Sequence, residues 1–312
     1  MDSYLVTGGA GFIGSHIVEI LVRRGARVRV LDNFLTGKRE NLAPLLEAIE
    51  LVEGDVRDLA TCRKAAEGVD SVLHQAALAS VPRSVEDPIL ADAVNVGGTL
   101  NMLVAARDAG ARSFVLASSS AVYGDAPGLP QREGEEGAPL SPYAAGKRAG
   151  EGYCRVFSSL YGLRTAALRY FNVFGPRQDP ASDYAAVIPR FIAKMLRGEA
   201  PAIFGDGGQS RDFIYVGDVA EANFLAAAAG LRGEALNIAS GAGTTVNALA
   251  AAINDILGTR IVPVHEVGRP GDVRQSTADI SAAAARLGFR PAVPFKEGLE
   301  RTIRWHRERR DS

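Results

Sequence analysis

Three glycines near the N-terminus constrain this chain more than any other feature. A short apolar run, Tyr4–Val6, enters T-G-G-A-G-F-I-G, and the apolar residues Ile13, Ile17, Ile20 and Leu21 then recur at helical spacing. A strand, a glycine turn and a helix N-terminus in that order build a pyrophosphate site. Glycines let a ligand approach the backbone, and the helix end offers free N–H groups with a favourable dipole. A lone glycine pattern is weak, but here both flanking elements are present. The spacing of Gly8, Gly11 and Gly14 is G-x-x-G-x-x-G rather than G-x-G-x-x-G, which points to a subtype of dinucleotide fold. Phe12 and Ile13, between the last two glycines, are candidates for contact with the same ligand.

The next strand pattern, Val28–Leu31, ends at Asp32. A carboxylate there can accept from both adenosine ribose hydroxyls and repel a 2′-phosphate. Asn33 follows rather than an arginine, which favours NAD over NADP. Lys38 and Arg39 weaken that preference if their loop folds back; solvated loop charges are the plainer reading. A third strand, Ile49–Glu53, leads to G-D-V-R-D, where Asp55 and Val56 can hold an adenine by one polar and one apolar contact. A strand-end Asp that caps the next helix explains Asp55 equally well.

Val72–His74 reads as a fourth strand, followed by Q-A-A-L-A-S, whose small residues, Ala76 among them, leave room for a cofactor across the sheet edge. Asp92–Ala109 reads as a long helix and Phe114–Ala117 as a fifth strand. Strands and helices alternating at this rhythm imply an α/β fold, a Rossmann-type doubly wound parallel sheet. The segments around Ser119 and Tyr143 then fall at the sheet's C-terminal edge, beside the nicotinamide end of a bound dinucleotide.

That placement gives weight to S-P-Y-A-A-G-K. Tyr143 and Lys147 stand at i and i+4, so on a helix they share one face, about 6 Å apart at Cβ. An ammonium at that distance favours phenolate and lowers the tyrosine pKa from about 10. Such a tyrosine can act as general base toward a hydroxyl, and Ser119 can bond the same oxygen. Alone, Y-x-x-x-K more often marks an ordinary surface pair.

Composition sets the outer limits. At 312 residues and 47% hydrophobic, the chain predicts one large or two unequal domains with a full core. A net charge of −1 gives no reason to expect nucleic acid or an anionic membrane as partner. Cys62 and Cys154 follow no metal or redox spacing and read as buried reduced thiols. No run is expected to approach the ~20 apolar residues of a membrane span, and no signal-peptide pattern opens the chain. These features predict a soluble, cytoplasmic protein.

Together the glycine turn, G-D-V-R-D, H-Q-A-A, N-V-G-G-T, the serine segment and Y-A-A-G-K resemble the extended short-chain dehydrogenase/reductase family across nearly the whole chain. The resemblance implies a Ser119–Tyr143–Lys147 catalytic group, with Asn95 supporting the site and Lys147 also holding the nicotinamide ribose. It implies NAD-binding segments at 1–171 and about 213–240. About 172–212 and 241–312 would make a smaller α/β unit for substrate. Arg211 and Arg269, read as lying in glycine-containing turns, suit a diphosphate; two interdomain ion pairs explain them equally well.

The pattern is similar to the nucleotide-sugar branch, where Asn172, Arg211 and Arg269 would contact the diphosphate of a UDP-sugar. Phe204 would lie beside the uracil, Asp272 at its ribose, and Val187 nearby. Dehydratases and decarboxylases of the family carry an acid two positions before the tyrosine of V-Y-G; here that position is Ala121, preceded by Ser120. This leaves C4 epimerisation as the implied reaction. Two stretches, A-A-L-A-S-V-P-R-S-V-E-D-P and F-N-V-F-G-P-R-Q-D-P-x-x-x-Y-A-A-V-I-P, are similar to bacterial UDP-N-acetylglucosamine 4-epimerases. Ser276 falls where glucose-restricted epimerases carry tyrosine, which leaves volume for an N-acetyl group. A strict UDP-glucose 4-epimerase, a UDP-glucuronate 4-epimerase or decarboxylase, and a non-catalytic NAD sensor are the alternatives. The resemblance further implies a homodimer, with Ala145, Ala149 and Gly152 small enough for close helix packing between or within chains.

Overall fold

The central strands of the large sheet are buried on both faces, which is why they read as mainly apolar runs, while the edge strand Ile49–Glu53 is only partly covered. In the computed structural model, residues 2–180, 186–268 and 274–310 are described. The chain forms β1 (Ser3–Thr7), α1 (Phe12–Arg23), β2 (Arg27–Asp32), β3 (Ile49–Glu53), α2 (Leu59–Ala66) and β4 (Ser71–His74). It continues through α3 (Val81–Glu86), α4 (Pro88–Asp92), α5 (Gly98–Asp108), β5 (Ser113–Ser119), α6 (Pro142–Tyr161) and β6 (Arg164–Tyr170). The second half adds β7 (Asn172–Phe174), α7 (Val187–Leu196), β8 (Ala202–Phe204), β9 (Ser210–Tyr215) and α8 (Val216–Ala228). Then follow β10 (Glu234–Ile238), β11 (Gly243–Thr245), α9 (Val246–Leu257), β12 (Val264–Glu266), α10 (Ser281–Leu287) and α11 (Phe295–Arg310).

Seven strands make one parallel sheet in the order β10-β6-β5-β4-β1-β2-β3. This is a doubly wound Rossmann-type sheet. The strand order reverses between β1 and β4, and a crevice opens at the carboxyl ends of strands at such a switch point. There Thr7 is in register with Leu31 on one side and His74 on the other. One face is covered by α1 and α8, packing Ile17, Val18 and Leu21 against Val219, Ala222 and Ala226. The other face carries Met102, Leu103, Phe114 and Phe157 together with both cysteines. Those cysteines are free and buried, and burial pushes the Cys62 thiol up to about 12.

The helix leading into the site runs from Pro88 to Asp108, with a π-helical turn at Ala93–Gly97 joining α4 to α5. By length and composition it could cross a membrane, contrary to the expectation that no run comes near. Half of its apolar window is buried, and Met102, Leu103, Ala105 and Ala106 fill the core, as in a core helix.

Beyond β6 the strands are short and form two small sheets. β9 lies between β11 (antiparallel) and β7 (parallel), and β8 pairs with β12. A separate core of Phe174, Phe191, Ile192, Phe213, Leu249 and Ile303 supports them. Arg211 is in strand β9, not in a glycine-containing turn: Ser210–Tyr215 pairs on both edges, and Gly207 and Gly208 precede it. The expected segment boundary at 212/213 falls inside this strand. The helix expected from Ala220 begins one turn earlier, at Val216. Near the C-terminus, Ala283, Leu287 and Phe289 join the core of the large sheet.

Candidate active site

A cleft of about 750 Å³ runs along the carboxyl edge of the large sheet. Asp32, Asn33, Asp55 and Val56, after β2 and β3, line one end; Gly8, Gly11, Phe12, Ile13 and Gly14, after β1, and Ala76, after β4, line its middle, and Tyr143 and Lys147 its far end. The glycines are required by close packing. Gly8 has φ +64°, and a Cβ on it would stand 2.7 Å from the Ala76 nitrogen. A Cβ on Gly14 would stand 2.1 Å from the Gly8 carbonyl oxygen. Among the described residues no side chain caps α1, whose N-cap is Gly11, which leaves its first-turn N–H groups without a side-chain acceptor there.

Asp32 is buried, accepting from the Ala10 N–H at 2.9 Å and the Phe34 N–H at 2.8 Å. Burial raises its carboxyl pKa against the pull of those two bonds. Both nearby cations are engaged elsewhere: Lys38 pairs with Asp179 at 2.8 Å, and Arg39 pairs with Glu53 and lies over the Phe34 ring. The Asn33 amide donates to Asp55 at 2.8 Å, and Asp55 also holds Arg57, which keeps the Asp55 carboxyl low, at about 2. Asp58, not Asp55, caps α2, accepting from the Ala60 and Thr61 N–H groups.

At the other end, a buried chain crosses from β1 through β4 to the π-helical turn. Thr7 Oγ1 bonds His74 Nδ1 at 2.8 Å, His74 Nε2 bonds Thr99 Oγ1 at 3.2 Å, and Thr99 donates to the Asn95 carbonyl. The Asn95 side chain grips the loop after β4 by accepting from the Leu78 N–H and donating to the Leu78 carbonyl. Asn95 thus stands behind the cleft wall, not on it.

Tyr143 sits in the first turn of α6, which Ser141 caps and Pro142 starts; its backbone N–H donates to Ser84 Oγ at 3.1 Å. Ser119, ending β5, hydrogen-bonds the Tyr143 side chain. The buried Lys147 Nζ donates to the Ala117 carbonyl at 2.8 Å and lies 5.8 Å from the centroid of the Tyr143 ring. The phenol nevertheless lies above its ordinary pKa, contrary to the lowering expected from the i, i+4 lysine. Burial disfavours the phenolate and outweighs the Ser119 bond, while the ammonium is directed at a backbone carbonyl. Burial also brings Lys147 down to about 8, opposed by the charge of Glu151.

The substrate candidates lie apart from this cleft wall, in the second half of the chain. Asn172 on β7 donates to the Asp212 carbonyl at 3.2 Å, and Arg211 is on the neighbouring β9. Ser276, buried, donates its N–H to the Ser210 carbonyl, which brings it beside Arg211. Val187 begins α7 directly after Ala186, a cleft residue, and Phe204 ends β8 on the other small sheet. Arg269 and Asp272 lie outside the described residues.

Sequence reasoning passed over Glu151 and Arg169, which are buried directly behind Lys147. Both left a signal: Glu151 is four residues after Lys147, and Arg169 is a lone charge in the apolar run T-A-A-L-R-Y. A charge buried in a central strand needs a partner.

The profile of the NAD dependent epimerase/dehydratase family matches residues 4–239. The chain belongs to this family. It is 40% identical over 309 residues to a UDP-glucose 4-epimerase of Mycolicibacterium smegmatis, covering 98% of each chain. Its fold is similar to the UDP-N-acetylglucosamine 4-epimerase of Methanobrevibacter ruminantium in complex with UDP-N-acetylmuramic acid: TM-score 0.95, 44% identity, 99% of each chain covered. It is also similar to the Thermus thermophilus UDP-glucose 4-epimerase complex with NAD: TM-score 0.88, 42% identity, 98% of this chain and 99% of that one covered.

The family's NAD fits the site by shape as well as by kinship. The closed glycine cradle and uncapped helix at the switch point, with the buried Asp32 at the end of the neighbouring β2, match the pyrophosphate and ribose of a dinucleotide, and the cleft has volume for it.

Proposed function

We propose that the protein is an NAD-dependent isomerase that inverts C4 of a UDP-hexose through a 4-keto intermediate. The observation that carries this reading is the meeting of Tyr143, Ser119 and Lys147 at one end of a dinucleotide cleft, with Ala121 and Ser120 where a dehydratase would need an acid. Gly8, Gly11, Phe12, Ile13 and Gly14 would hold the pyrophosphate side of NAD, Asp32 the adenosine ribose, and Asp55 and Val56 the adenine. NAD held there would supply the acceptor and donor of the C4 hydride and a second positive charge beside the phenol.

Tyr143 takes the proton of the sugar 4-hydroxyl, with Ser119 orienting that oxygen, and later returns it. The Lys147 ammonium favours the phenolate form needed for this step and holds the nicotinamide ribose. Between the two transfers the keto sugar turns about its diphosphate, which Asn172, Arg211 and Arg269 anchor. Phe204, Val187 and Asp272 would hold the nucleoside.

The small residue at Ser276 supports acceptance of UDP-GlcNAc/UDP-GalNAc in addition to UDP-Glc/UDP-Gal. The stripe Ala145, Ala149, Gly152, Val156 and Leu160 on α6, with Ile89 of α4 82% exposed, supports a homodimer through paired helices. Among the described residues, a Cβ on Gly152 would meet nothing within 4 Å, and Ala145, Val156 and Leu160 are exposed. We read the segment from Asn172 to Asp212, with 241–312, as the UDP-sugar-binding unit, and the cytoplasm as the place of action.

A proton NMR time course with UDP-N-acetylglucosamine and UDP-glucose in separate tubes, without added cofactor, tests the reading. Conversion of the acetylated sugar to its galacto epimer supports it in full. Conversion of UDP-glucose alone keeps the reaction and overturns the reading of Ser276. No conversion of either, with NAD supplied, overturns the reaction.

A further inference from the structure

Behind the Tyr143–Lys147 face of α6 lies a buried ionic cluster that the proposed chemistry does not use. Tyr143, Lys147 and Glu151 follow one another at i, i+4 and i+8, so all three project from the same face. Glu151, 5% exposed, accepts from Ser118 Oγ at 2.5 Å with Oε1. Arg169 on β6 grips the same carboxylate with two bonds, Nε to Oε1 at 2.9 Å and Nη2 to Oε2 at 2.7 Å. The remaining Arg169 nitrogen donates to the Tyr123 hydroxyl at 3.1 Å and to Glu136 in the loop before α6.

Ser118 lies between the two residues that define the site from β5. Ala117 offers its carbonyl to Lys147, and Ser119 bonds Tyr143. Glu151 therefore meets the catalytic helix and the catalytic strand at one carboxylate. Ion pairs join Glu136, Arg169 and Glu151, and Lys147, one turn of α6 before Glu151, brings the count to two carboxylates and two cations. Such balance is what a low-dielectric interior demands.

We propose that Glu151 is a positioning residue for the Tyr143–Lys147 pair, the counter-charge that holds the Lys147 ammonium and, through Ser118, the end of strand β5 in place. The groups that face Lys147 are few. From β4 comes His74, kept neutral by burial and by the lysine's own charge. Tyr143 and Glu151 share its helix. Arg169 comes from β6, already satisfied by Glu151 and Glu136, with Tyr123 on its far side, while the next residue, Tyr170, turns to Gln75 and Asn223. Without the Glu151 charge, Arg169 keeps Glu136 and Lys147 is left as the unmatched cation. Its charged form then becomes the unfavourable one.

The activity arm of the test rests on the epimerase reading, while the titration arm does not. The chain has only five lysines, so Lys147 can be followed in the NAD-loaded protein by NMR of ¹³Cε-labelled lysine, with Lys147→Arg assigning its signal. Glu151→Gln keeps the shape and the acceptor for Ser118 and removes the charge. The Lys147 midpoint is expected to move to lower pH, and the alkaline limb of kcat to move with it. At neutral pH kcat should fall on the order of tenfold with KM little changed, a small part of the 10²–10⁴ that a positioned acid or base contributes.

An unmoved midpoint alongside lower thermal stability would make Glu151 a structural ion pair and overturn the proposal. Should Glu151→Gln fail to fold, Glu136→Gln at the loop end serves. Arg169 then shares less of its charge outward, and the same downward movement, smaller, is expected; an unmoved midpoint overturns the proposal here too. If the wild-type protein turns over no UDP-sugar, the functional reading fails, and the titration still decides the role of Glu151.

Discussion

The Lys147 ammonium lies 5.8 Å from the centroid of the Tyr143 ring and donates to the Ala117 carbonyl at 2.8 Å. It is held by β5 beside the tyrosine rather than bonded to it. The lysine acts on the phenol by charge, and that charge has a pH limit. Its pKa is depressed to about 8, so the charged form is present below that pH and lost as pH rises through it. The rate should therefore fall on the alkaline side with a midpoint near 8, and Lys147→Met should be slow at all pH values. Tyr143→Phe should lose on the order of 10²–10⁴ in kcat while still binding NAD. A pH profile of kcat for the wild type and both variants checks this.

The Gly14 position tolerates no side chain. A Cβ there would stand 2.1 Å from the Gly8 carbonyl oxygen, a backbone atom that cannot swing aside. Gly14→Ala should destabilise the fold by roughly 1–3 kcal/mol, and the purified variant should hold less NAD. Thermal melts with and without added NAD, and the absorbance of bound cofactor, measure the two effects.

Asp32 should decide between the two nicotinamide dinucleotides. Its carboxylate is fixed by two backbone N–H groups, and neither Lys38 nor Arg39 is free to greet a 2′-phosphate. Asp32→Asn should weaken NAD by roughly tenfold to a hundredfold, the worth of a charge-assisted hydrogen bond, and narrow the margin over NADP. Titration of the cofactor-stripped protein with each dinucleotide gives the ratio.

Ser276 tests the sugar preference alone. It is buried beside β9, next to Arg211, so a tyrosine there would take up space on the substrate side without touching the cofactor cradle. Ser276→Tyr should depress turnover of the acetylated sugar and spare UDP-glucose, read as a change in the ratio of kcat/KM values. Undiminished turnover of the acetylated sugar would remove the argument.

The large sheet was legible because its strands are apolar runs separated by helices of the right length. Ile49–Glu53 was delimited to the residue, and the glycine turn announced the cleft. The second half was less so. Strands of three residues, such as β7, β8 and β11, carry no period, and β9 was masked by the glycines before it, so Arg211 was placed in a turn. Tyr143 and Lys147 were found from their spacing, but the direction of the Tyr143 shift was misread because spacing carries no information on burial. Glu151 and Arg169 meet only because α6 lies across β5 and β6, a tertiary fact.

The central claim is that one hydride leaves C4 and returns to it without a proton leaving C5. UDP-glucose and UDP-N-acetylglucosamine, each deuterated at C4, should be incubated with the protein in ordinary water, and the unlabelled sugars in D₂O. The account predicts formation of the galacto epimer without added cofactor, deuterium retained at C4, and no solvent deuterium at C5. Solvent deuterium at C5, or loss of the label from C4 during conversion, would contradict it.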